Sequence, residues 1–177
     1  LTGGVEVGIV AGVILSLALF IRRSAHPHMA ELGYCHERNA YLNINRFPMV
    51  ERYPRTVIIR VDGSMFFANT GFVKSRTREW IESQPDTRLV IFDFEGVNDM
   101  DAVAVKMLED LINDYDARQV DFAFARLKGP VRDILTRAGW HRKYPHSIRF
   151  RSVRQVIADL RSPLTAIRDL AAYLQKQ

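Results

Sequence analysis

The sequence predicts an α/β domain held behind one membrane-spanning helix, and two observations predict it. Leu1 to Ile21 contain a single charged residue, Glu6, and about 20 largely apolar residues suffice to cross a bilayer as a helix. Beyond Ile21, short β-branched or alternating runs take turns with segments whose apolar residues recur at three and four, the pattern that packs helices onto a sheet. The rest of the 177-residue chain is long enough for one hydrophobic core and short for two.

Arg22 and Arg23 follow the apolar stretch, whereas a secretory signal has its basic residues in front. Basic residues on one flank of a span favour that flank being cytoplasmic. The chain is therefore expected in the cell (inner or plasma) membrane, with everything after residue 21 in the cytoplasm. It starts at Leu1 without an initiator methionine and is expected to be part of a longer protein. Gly4, Gly8, Gly12 and Ser16 recur every four residues, a stripe along which a second helix backbone can approach closely. The stripe and the lone carboxylate of Glu6 suit the last span of a polytopic bundle. The other reading is a single anchor with incidental glycines and Glu6 at the headgroups.

Ser24 to Asn39 hold Pro27, Gly33 and several polar residues with no sustained period, so residues 22–39 are expected to be a juxtamembrane linker and 40–177 the folded domain. His26, His28, Cys35 and His36 fall in that stretch at spacings that match no common ligand set, so no metal site is expected. Cys35 is the only cysteine, which excludes an intramolecular disulfide.

Tyr41 to Asn45 and the β-branched run Thr56 to Asp62 read as strands. Met65 to Ala68 should continue in extended form after a turn at Gly63. Asn69 and Thr70 are cap residues for a helix to about Ser83 that sets Phe72, Val73, Trp80 and Ile81 on one side. Arg88 to Phe94 is nearly all apolar, as a strand covered on both faces must be. Asp101 is a good N-cap for a helix whose Ala104, Met107, Leu108, Leu111, Ile112 and Tyr115 form one stripe. Gln119 to Ala125 reads as a strand by its alternation. A short helix from Val131 to Ala138 ends at Gly139. Ser147 to Phe150 can form a last strand. Ser152 with Gln155 is a capping-box signature for a helix to about Arg161. Pro163 then restarts a helix over residues 163–176, with Leu164, Ile167, Leu170, Ala171 and Leu174 as its stripe.

Charge is partitioned along the chain. Asp93 to Asp121 carry nine acids against two bases, and Arg126 to Arg154 nine bases against one acid. This layout suits pairing within the domain, a self-complementary contact or an anionic membrane face, and no nucleic-acid module motif accompanies it. Nucleic acid is not an expected partner. GxxxxGK[ST], GxGxxG after a strand, HExxH, GxSxG and CxxC are all missing from the sequence. No catalytic residue and no cofactor are expected, and the chain is not read as an enzyme. Asp93, Glu95, Asp99 and Asp101 crowd the loop between a strand and a helix. Asp101 is expected to cap the helix and the other three to be solvated; cation or partner binding is the alternative.

The stretch GVEVGIVAGVILSLALFIRRSAHPHMAELG, Gly4 to Gly33, resembles the end of the last membrane helix and the following linker of the sulfate permease (SulP) anion transporters. TVIIRVD, GSMFFAN (Gly63 to Asn69) and DFEGVNDMDAVA (Asp93 to Ala104) resemble their STAS domain, which is shared with bacterial anti-sigma factor antagonists. The resemblance implies a mixed sheet with helices, a secondary anion (sulfate-like) transporter, and a STAS domain that serves regulation, assembly or partner binding. The alternative is a single-span membrane-anchored STAS interaction module. It further implies a regulatory or partner-binding loop at Asn98, Asp99, Asp101 and Ala102. Expected partners are the transporter membrane domain, a second copy through the full-length protein, the membrane, and a cytoplasmic protein. Family members often carry a serine or threonine just after the aspartate of the second motif, whereas Asp101 is followed here by Ala102, Val103 and Ala104, which offer no hydroxyl to phosphorylate.

Overall fold

The computed structural model describes residues 3–149 and 151–161. Helix α1 (Gly3–Ser24) is continuous, with Glu6 in its first turn and Arg22 and Arg23 in its last. Its apolar side chains are exposed along the whole length, from Val5 to Ile21. A helix that is apolar all round and touches no core needs lipid or another helix about it. The Cβ positions of Gly4, Gly8 and Gly12 meet nothing within 4 Å.

Five strands follow: β1 (His28–Cys35), β2 (Ala40–Asn43), β3 (Thr56–Asp62), β4 (Leu89–Asp93) and β5 (Asp121–Ala125), in sheet order β2-β1-β3-β4-β5. β1 is antiparallel to both β2 and β3, whereas β3, β4 and β5 are parallel. Parallel neighbours need a crossover, which α2 (Thr70–Glu82) and α3 (Ala102–Asp116) supply. α4 (Gly129–Arg137), α5 (Trp140–Lys143) and α6 (Val153–Arg161) complete the chain as described.

The period of two divides each parallel strand between two cores. Val57, Ile59 and Val61 of β3, Val90 and Phe92 of β4 and Phe122 and Phe124 of β5 face α2, α3, α4 and α5. Ile58, Leu89, Ile91, Ala123 and Ala125 face the other way and are covered by Val153, Val156 and Ile157 of α6. Two alanines on β5 leave room for α6 to lie close. Burial on both faces is why β3 and β4 read as nearly unbroken apolar runs. α6 is held at its start by the expected cap, as Gln155 N donates to Ser152 Oγ at 3.1 Å and Gln155 Oε1 accepts from Arg151 N at 2.8 Å. Burial, reinforced by Tyr53, pushes the phenol of Tyr41 beneath it well above the ordinary range.

The structure corrects three expectations. The stretch expected as a linker contains β1, which is not an edge strand but lies between β2 and β3. Its pattern was broken by Glu31, a buried carboxylate that reaches the guanidinium of Arg52 at 3.2 Å and Nε2 of Gln84 at 3.0 Å. Polar residues enter a covered strand when distant partners satisfy them. Met65 to Ala68 does not run extended: only Met65 pairs, with Met100, and the chain then turns into α2. Ser147 to Arg149 forms no strand, although the Ser147 carbonyl accepts from Phe124 N at 2.7 Å. Phe150 and the helix expected over 163–176 lie outside the described residues.

Candidate functional site

The carboxyl ends of β3, β4 and β5 share one edge of the sheet, and α1 joins at that edge because β1 begins with His28 opposite Asp62. Only Ala25, His26 and Pro27 separate α1 from β1. The loops that follow β3 and β4 therefore lie beside the carboxy-terminal end of α1. A cleft of about 590 Å³ between them is lined by Phe20, Arg23, Ser64, Phe66 and Asn69 among others.

The loop between β4 and α3 is built tightly onto its neighbours. Gly96 passes over the end of β3 so closely that a Cβ there would sit 2.5 Å from the Val61 carbonyl oxygen and 2.8 Å from Asp62 Cα. Met65 N donates to the Asp99 carbonyl and Asp101 N to the Met65 carbonyl, both at 3.0 Å, which joins the two loops in a short parallel bridge. Asp101 does the capping expected of it, with Oδ1 accepting from Ala104 N at 2.8 Å. Its other oxygen, Oδ2, accepts from Phe67 N at 2.8 Å. The carboxylate is thus occupied by two backbone donors, and Asp101 shapes the loop rather than pointing out of it.

What the loop does present is mixed. Asn98 and Asp99 are exposed; Asn98 Oδ1 accepts from Lys128 Nζ at 2.6 Å and Asp99 Oδ1 from the Met100 amide at 2.8 Å. Ala102 and Val103, in the first turn of α3, are exposed too, Val103 by 50%. Beside them stands Phe67, 70% exposed, with its backbone fixed by Asp101. Single exposed apolar residues are ordinary, but here an aromatic side chain on a pinned backbone stands next to an aliphatic turn, an ordered apolar patch on the surface.

Asp93 departs from the expectation of a solvated carboxylate. It is 0% exposed and is gripped by the guanidinium of Arg126, which also reaches Glu95 Oε2 at 2.6 Å. Arg126 follows β5 with φ +58°, the left-handed region that a side chain disfavours. The hydrogen bonds to Asp93 raise the pKa of the Arg126 guanidinium further above an already high value. Burial pushes Asp62 up, but hydrogen bonds from Arg60 and His28 outweigh that and hold its carboxyl below the usual carboxylate range. The opposite charges that the sequence partitions do meet, through Asp93 with Arg126 and Glu109 with Lys143.

Among the described residues, no three His, Cys, Asp or Glu side chains gather as the ligands of a metal ion. Cys35 is buried, His28 pairs with Asp62, and His36 pairs with Glu51. Phe67 escaped sequence reasoning because exposure depends on which neighbours fold over it. The Asp93 pair had a signal in the charge partition, though nothing there named the partners.

The profile of the STAS domain matches residues 47–156. The chain belongs to the STAS domain family. Its match to "Probable sulfate transporter 4.2" of Arabidopsis thaliana is 34% identical over 146 residues, 77% of this chain and 22% of that protein. The similarity to "Sulfate transporter 4.1, chloroplastic" of the same plant is 32% identical and covers 77% and 21%. The chain thus spans about a fifth of the length of the sulfate transporters it matches. The fold is that of the murine Solute Carrier 26 family member A9 anion transporter over 85% of this chain and 25% of that one, with TM-score 0.75 and 18% identity. An anti-sigma factor antagonist from Thermotoga maritima is similar over 63% of this chain and 92% of its own, with TM-score 0.53 and 11% identity. The expected STAS-like mixed sheet with helices is the fold observed. The family profile begins only after β2, so the β1–β2 hairpin enters the sheet from outside the matched segment.

Proposed function

We propose that this chain is the carboxy-terminal portion of a SulP-type secondary anion transporter, carrying a sulfate-like anion, with α1 as its last membrane span. The STAS domain, on the cytoplasmic side, regulates, assembles or positions the transporter and catalyses no reaction. One observation carries this reading: a fully exposed helix of membrane length passes within three residues into a STAS domain that is homologous to those of sulfate transporters. Arg22 and Arg23 at the end of α1 support the cytoplasmic orientation.

The loop surface of Asn98, Asp99 and Ala102, extended by Phe67 and Val103, serves as the docking face. Its place at the edge nearest α1 favours the transporter membrane domain as the partner over a freely diffusing protein. Asp93 to Met107 contain no Ser, Thr or Tyr, so this face is set permanently rather than switched by kinases. Gly4, Gly8, Gly12 and Ser16 line the contact of α1 with a neighbouring helix, and the full-length protein associates as a homodimer. The fold likeness to an anti-sigma factor antagonist along 92% of that chain favours the second reading, a STAS interaction module on a single anchor.

Anion uptake by the complete protein in proteoliposomes separates the two. Gly8→Leu with Gly12→Leu should abolish assembly and uptake, and Phe67→Ala with Val103→Ser should reduce uptake while the domain stays folded. A coding sequence that starts just before Leu1, with no upstream spans, would leave the single-anchor module.

A further inference from the structure

Asn69 stands at the N-cap of α2, where its residue type favours a side-chain bond to the first turn. It makes no such bond. The side chain is turned the other way and is almost wholly buried, at 1% exposure. Oδ1 accepts from the Phe66 amide at 3.0 Å, which closes the turn before α2. Nδ2 donates twice, to the Ser64 carbonyl at 2.9 Å and to the Ser24 carbonyl at 3.2 Å. Ser24 is the last residue of α1, and the final carbonyls of a helix have no partner within it. A side chain of the STAS domain thus supplies a C-terminal cap to the membrane helix.

The surroundings stiffen that joint. Ala25 N donates to the Ile21 carbonyl at 2.8 Å, so the helical turn carries on into the connection. The His26 ring meets Phe72 of α2 edge-on at 5.0 Å. Pro27 fixes its own φ and restricts the residue before it. β1 starts at once and is locked to β3 through His28 opposite Asp62.

We propose that Asn69 fixes α1 and the STAS domain into one lever, so that a tilt of the membrane helix is delivered to the Phe66–Phe67 segment and the face beside it. Asn69 is a positioning residue. The amide that holds Ser24 also holds the Phe66 N–H, and the next amide along, Phe67 N–H, is held by Asp101. Each link is a hydrogen bond to a backbone group, and the segment so held, Ser64 to Asn69, runs directly between β3 and α2. The lever does not depend on the transporter reading, because a single-anchor protein would carry the same joint.

The test uses the full chain in lipid nanodiscs, with spin labels at Leu19→Cys on α1 and Ser75→Cys on the exposed side of α2, in a Cys35→Ala background. The unaltered joint should give a single narrow distance distribution. Asn69→Asp keeps the acceptor for the Phe66 amide, and hence the turn, but removes both donors and sets a negative charge against the Ser24 and Ser64 carbonyls. It should broaden the distribution several-fold while the circular dichroism of the domain is unchanged. If Asn69→Asp fails to fold, two glycines inserted between Ser24 and Ala25 probe the same joint, since they spare Asn69 and every contact inside the domain. A broad distribution without substitution, or a narrow one that survives whichever of these changes is folded, overturns the lever.

Discussion

Removing β1 should unfold the domain, even though a boundary near Asn39 looks natural from composition. A chain that starts at residue 39 loses a strand paired over four positions with β2 and four with β3. Without it β2 has no neighbour that ties it to the sheet. Ala30, Leu32 and Cys35, each 2% exposed, leave the cores with it. Their burial contributes about 4 kcal/mol. The ladder bonds add about 1 kcal/mol for each pairing lost. The total, about 12 kcal/mol, is comparable with the whole stability of an ordinary domain, about 5–15 kcal/mol. The assay compares residues 25–177 with 39–177 by circular dichroism and urea titration without detergent. The longer chain should unfold in one cooperative step, and the shorter should show no transition. A cooperative transition for residues 39–177 would refute the claim that β1 is integral.

Three further outcomes are expected. Asp101→Ala removes the cap of α3 and the acceptor of Phe67 N together, which should cost about 2 kcal/mol by urea unfolding, and Asp101→Asn should cost less because one acceptor oxygen survives. Arg126→Ala leaves the Asp93 carboxylate buried without its partner and should destabilise by about 3 kcal/mol or more, with replacement of both residues by apolar ones recovering part of the loss. Asp62, whose folded pKa lies below its unfolded value of 3.8, contributes stability that is present above that value and lost as pH falls through the folded pKa; Asp62→Asn should therefore flatten the acid limb of the stability curve below about pH 4.

Much of this protein was legible without coordinates because it rests on local chemistry. The single charge in Leu1 to Ile21, the β-branched run Thr56 to Asp62, the Asp101 cap and the Ser152 and Gln155 pair each act within a few residues, and α1, β3, α3 and α6 follow from them. The resemblance of the STAS motifs pointed to the family for the same reason. What only the tertiary structure decided depends on partners far apart in sequence. β1 became a central strand because Glu31 finds Arg52 and Gln84, 21 and 53 residues away. Asp93 is buried because Arg126 arrives from the end of the neighbouring strand, 33 residues later. Asn69 had the right residue type for a cap and was turned to another use, since α1 ends 45 residues earlier in the chain but against its side chain in space. A polar residue's role follows the partner that satisfies it, and the nearest partner in space is not encoded in the nearest residues of the sequence.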